Sequence, residues 1–104
     1  MGRNNKRELA SRLIVLITHL LKWQFQSDKR SNSWINTINA QRTDIELLLK
    51  DSPSLKHGIE TLIDDVFINA KRQFEKETKA DKKKAPDICP YTWEQLSDYD
   101  FMPE

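Results

Sequence analysis

A stretch near the N-terminus constrains this chain more than any other. Between Asn5 and Gln26 lie Leu9, Leu13, Ile14, Leu16, Ile17, Leu20, Leu21, Trp23 and Phe25. At about 100° per residue these occupy one arc about 200° wide, with Arg12, Thr18, His19, Lys22 and Gln26 on the other side. One neighbouring helix cannot cover an arc that broad. The segment is therefore expected to be a central helix, over residues 5–26, with at least two partners. Gln24 projects into the middle of the arc, so its amide needs hydrogen-bond partners if it is buried there.

The partners are legible downstream. After a polar link, in which Ser31 or Ser33 can cap, Trp34, Ile38, Ile45, Leu48 and Leu49 stripe a second helix over residues 34–50. Arg42 points between Ile35 and Leu49 and borders that stripe. In "DSPSL", Ser52 can cap, Pro53 suits a first helical position and Leu55 begins the next apolar period. The pattern predicts a third helix over residues 53–79, striped by Leu55, Ile59, Leu62, Ile63, Val66, Phe67, Ala70 and Phe74. Lys71, Arg72, Lys76 and Lys79 complement the negative end of its dipole.

Residues 80–87, "ADKKKAPD", have no apolar period and read as a linker. Residues 88–104 are rich in aromatics: Tyr91, Trp93, Tyr99 and Phe101. Thr92 followed by Gln95 is a capping-box pattern and predicts a short helical turn from Trp93 to about Ser97. A segment this apolar is expected to dock on the helices. The predicted fold is an all-α up-and-down bundle of three long helices, with a docked C-terminal tail containing one short helical turn.

With 104 residues, the chain is long enough for a single helical domain with one core. No stretch reaches the roughly 18 apolar residues of a membrane span, and the N-terminus lacks the pattern of a secretory signal. A single cysteine, Cys89, forms no internal disulfide framework. A cytoplasmic protein, not membrane-bound, is expected. Gly2 and Gly58 are the only glycines, so there is no glycine-rich phosphate loop. The two histidines, His19 and His57, form no His-x-x-x-His or Glu-x-x-His pair, so no metal or cofactor is expected. Residues 87–104 hold five acidic side chains and no lysine or arginine; against a net charge of +1, the rest of the chain carries +6.

Several residues are candidates for a site. His19, Lys22, Trp23 and Gln26 share a helix face by their three-and-four spacing and could grip a partner or a phosphate. The same spacing fits the rim of the core-forming arc, which is the favoured reading. Arg42, beside an apolar stripe, must reach water or find an acid on another segment, with an anion site as the alternative. Cys89 lies before Pro90 among acids that raise a thiol pKa, so it reads as packing rather than as a nucleophile. Glu60, Asp64 and Asp65 read as a solvated face. Arg3, Lys6, Arg7, Arg12, Lys29, Arg30 and the lysines at 82–84 could meet phosphate backbones, though they are spread over termini and loops.

The run His19 to Trp23, the pair Ser33-Trp34, Arg42, the run Asp51 to Ser54 and the run Cys89 to Thr92 together resemble a bacterial family common in cyanobacteria, the domain of unknown function family 29. The resemblance covers nearly the whole chain. It implies an all-helical bundle and no assigned activity, and it offers no site residues to carry over. It also implies a further N-terminal segment with at least one more helix, so that this chain corresponds to the C-terminal two-thirds of the usual domain. If the remaining segments fail to cover Leu13, Ile14, Ile17, Leu21 and Phe25, self-association through that face is expected. The leading functional expectation is a non-enzymatic protein-interaction module, with an unidentified protein partner or a second copy. The alternatives are nucleic-acid association through the basic body and an enzyme using His19, Gln24 and Arg42 around a cleft.

Overall fold

The structure is a computed structural model that describes residues 5–78 and 85–103. The lysines at 82–84, Arg3, Lys79 and most of the expected linker lie outside the described residues. Helix α1 spans Asn5–Phe25, α2 Asn32–Asp51, α3 Ile59–Thr78 and α4 Trp93–Ser97. Two 3₁₀ turns, Ser27–Lys29 and Pro53–Lys56, sit in the links. No described helix is long and apolar enough to cross a membrane.

Helix α1 packs on both α2 and α3, as its broad arc requires. Leu9, Leu13, Leu16, Ile17, Leu20 and Leu21 are fully buried. Ile14 and Phe25 are partly buried against the same core. The neighbours therefore cover most of the arc. Burial extends past the arc to Thr18, 2% exposed. Its hydroxyl donates to the Ile14 carbonyl at 2.6 Å and lies 3.4 Å from that of Ala70 on α3, so the polar atom is satisfied inside the packing. Gln26 is also buried, because it lies beyond the last helical residue. Its φ of −126° and ψ of 52° take it off the helical wheel.

Helix α2 begins after Ser31, whose hydroxyl accepts from Trp34 N at 3.3 Å. It buries Ile38, Arg42, Ile45 and Leu48 on one face. Arg42 therefore stands within the stripe rather than at its border.

The third helix starts later than the sequence predicts. Pro53 opens a 3₁₀ turn, and α3 begins only after Gly58, whose φ is +73°. A proline favours the first turn of either helix type, so it does not distinguish them. Gly58 ends the 3₁₀ turn in the left-handed region, and its carbonyl accepts from Leu62 N at 3.0 Å to begin α3. A Cβ added at Gly58 would meet nothing within 4 Å, so Gly58→Ala tests backbone strain alone. It is expected to cost about 1–2 kcal/mol in a urea titration.

The tail docks. Tyr91 is 5% exposed and Leu96 fully buried. Helix α4 touches both α2 and α3. Its capping box is formed: Gln95 N donates to Thr92 Oγ1 at 3.2 Å, and Thr92 N to Gln95 Oε1 at 3.0 Å. Gln24 finds its partner here, accepting the Tyr91 hydroxyl at 2.7 Å.

Candidate interaction site

The docked tail and the second half of α2 form the walls of a cleft of about 440 Å³. Its apolar surface comes from Ile45 and Leu49 of α2, Pro53 of the 3₁₀ turn, and Trp93 and Leu96 of α4. Lys50, Lys56, Glu46, Ser97 and Tyr99 complete the lining, with Arg42 among the deeper residues.

Arg42 fixes this geometry. It is 2% exposed. Its Nε donates to the Leu96 carbonyl at 2.8 Å, and its Nη2 to the carbonyls of Gln95 at 3.1 Å and Phe101 at 3.0 Å. The expected acidic partner is thus replaced by three backbone oxygens. Two belong to the end of α4, where carbonyls carry partial negative charge; the Gln95 carbonyl also accepts Asp98 N at 3.2 Å. A planar fork of donors can span several carbonyls at once, which an ammonium cannot. Burial lowers the guanidinium pKa from its ordinary value, while the charge of Asp98 raises it. Nη1 is buried without a hydrogen-bond partner among the described residues.

Tyr99 closes the outer edge. It is 44% exposed. Its hydroxyl donates to Glu46 Oε1 at 2.7 Å and lies 3.2 Å from Thr43 Oγ1. Inside the tail, the rings of Tyr91 and Phe101 meet edge-on at 6.0 Å. Lys50 and Lys56 are exposed and have no salt-bridge partner among the described residues. By contrast, Arg12 pairs with Asp44 at 3.1 Å and Lys71 with Asp87 at 2.9 Å.

The residues His19, Lys22, Trp23 and Gln26 do not line this cleft. Lys22 pairs with Glu77 of α3 and lies 5.9 Å from the Trp34 ring centroid. Trp23 is covered by the guanidinium of Arg30 at 4.7 Å, and Arg30 Nε donates to the Trp23 carbonyl at 2.8 Å. His19 is half-buried, with Nδ1 2.9 Å from the Val15 carbonyl. Lys22 thus ties α1 to α3, Trp23 is held by Arg30 of the following link, and the His19 bond stays within α1. The cleft includes Arg42 but neither His19 nor Gln24, so those three do not converge on one cavity. Cys89 is half-buried; burial pushes its thiol pKa up, and its Sγ lies 3.4 Å from the Tyr91 carbonyl. Glu60, Asp64 and Asp65 are exposed.

Burial holds the His19 pKa below its ordinary 6.5, with Lys22 adding to the shift and Glu77 opposing it. The unfolded chain then binds the proton more readily than the folded one. His19 therefore favours folding above pH 6.5, and that contribution is lost as pH falls through the folded value. His19→Gln is expected to flatten the decline of the urea midpoint below neutral pH relative to the parent chain. An unchanged pH profile would contradict this placement.

The lining residues Lys50, Lys56, Leu49 and Trp93 were not singled out together by the sequence. The available signal was the pair of lysines flanking "DSPSL", next to Leu49 and Pro53. Its meaning depends on where the tail docks. A family model described as domain of unknown function DUF29 matches residues 1–102. No curated protein and no solved structure gives a significant match to the chain.

Proposed function

From the premise that the chain belongs to the DUF29 family, whose description assigns no activity, we infer that it is a non-enzymatic protein-interaction module of the bacterial cytosol. Its docking site is the cleft between α2 and the tail. The observation that carries this reading is an apolar recess held open by packed elements rather than by a free loop. Leu96 and Ile45 are buried on opposite walls, and the Arg42 fork joins those walls. A recess with an apolar floor and few polar groups is the usual form of a binding site. A preformed one avoids part of the ordering cost of association.

Site-specific photocrosslinking in host cells tests the reading. A photoreactive residue at position 56 borders the cleft; one at position 64 lies on the exposed acidic face of α3. A discrete protein adduct from position 56 and none from position 64 is the expected result. Equal adducts from both positions would overturn it. Adducts that vanish with nuclease would favour the nucleic-acid alternative, whose affinity should fall steeply with salt.

A further inference from the structure

We propose that the occupant of the cleft is an acidic, apolar peptide segment: an aliphatic or aromatic side chain seats on the apolar floor, and a neighbouring carboxylate pairs with Lys50 and Lys56. The proposal rests on reading the cleft as a protein-docking site. Two features of the lining select this chemistry.

The first is size and polarity. The floor is built from Ile45, Leu49, Pro53, Trp93 and Leu96. A volume of about 440 Å³ suits one or two inserted side chains rather than a whole helix. Such a floor offers no partners to polar atoms, so whatever inserts there is apolar. A nucleobase would bring both donors and acceptors. The one carboxylate in the lining, Glu46, already accepts the Tyr99 hydroxyl, leaving little to meet base donors.

The second is charge. Arg42, Lys50 and Lys56 face a single carboxylate in the lining. Elsewhere Arg12, Lys22 and Lys71 pair with acids. Lys50 and Lys56 have no such partner among the described residues, and neither do other exposed cations such as Lys6, Arg72 and Lys76. What sets Lys50 and Lys56 apart is that they border an apolar recess. Arg42 adds positive charge from below, offset in part by Asp98 and by the three carbonyls that its Nε and Nη2 meet. The field at the cleft thus favours an anionic partner and disfavours a basic one.

The test is a displayed library of random heptapeptides selected against the full chain. The best binders are then measured by fluorescence anisotropy on three variants: the parent, K50E/K56E and S97W. Residues 50, 56 and 97 are exposed, so all three proteins are expected to fold, with thermal unfolding as the check. The proposal expects selected sequences that join an apolar residue to Asp or Glu. It also expects K50E/K56E to weaken binding about tenfold, and S97W, which fills the cleft, to abolish it. Selected peptides without acids, or unchanged affinity for K50E/K56E alongside loss in S97W, would overturn the acidic partner and leave the docking site standing. Peptides that bind S97W as tightly as the parent, or a selection that yields no binders, would overturn both.

Discussion

Arg42→Ala is expected to cost about 3 kcal/mol of folding stability and to release the tail. The guanidinium makes three hydrogen bonds to the carbonyls of Gln95, Leu96 and Phe101. Bonds with a charged donor are worth about 1.5–3 kcal/mol each, and truncation also strands buried acceptors. Part of that sum is returned, because a partly unsatisfied buried cation is removed and water can reach the more exposed carbonyls. Urea unfolding gives the stability. Amide exchange across residues 91–103 gives the location, and protection there should fall far more than in α1. Arg42→Lys should recover little, since one ammonium nitrogen cannot take the places of both Nε and Nη2 of the guanidinium. Retention of tail protection in Arg42→Ala would show that Leu96 and Tyr91 hold the tail unaided.

The other large effect belongs to α3. Phe74 is fully buried, its ring 6.2 Å from that of Phe25 on α1. Phe74→Ala is expected to lose about 3–5 kcal/mol, the removed burial plus the cavity left behind. Ile68, on the same helix but 60% exposed, is the control. Ile68→Ala should stay within about 0.5 kcal/mol of the parent. Comparable losses at the two positions would mean that α3 packs in a different rotation. Paired urea titrations, analysed with a common slope, separate these outcomes.

What the sequence revealed, and what it concealed, divides along the distance over which each feature is decided. The α1 arc, the α2 stripe and the Thr92–Gln95 capping box depend on residues within a turn or two, and the structure contains all three. The docking of the tail followed from its aromatic content. Pro53 did not distinguish a 3₁₀ turn from an α-helix, because the deciding residue was Gly58, on the far side of the turn. Thr18 looked polar by type, yet its hydroxyl bonds within α1, which leaves the methyl free to pack. Arg42 was the hardest. Its sequence position announces a demand for acceptors but cannot name them, and backbone carbonyls leave no compositional trace. The cleft inherits that difficulty, since its walls come from distant segments that meet only through this fork.

Chains grow from the N-terminus, so α1, α2 and α3 exist before any of the acceptors of Arg42. Until Gln95, Leu96 and Phe101 have been added in turn, the guanidinium lacks these carbonyl acceptors and is satisfied by water. A chain without that segment would leave the Arg42 guanidinium to be satisfied by water alone, so the α2 face beside it would stay wet. One side chain in the second helix thus couples the packing of that helix to a segment more than fifty residues further along the chain.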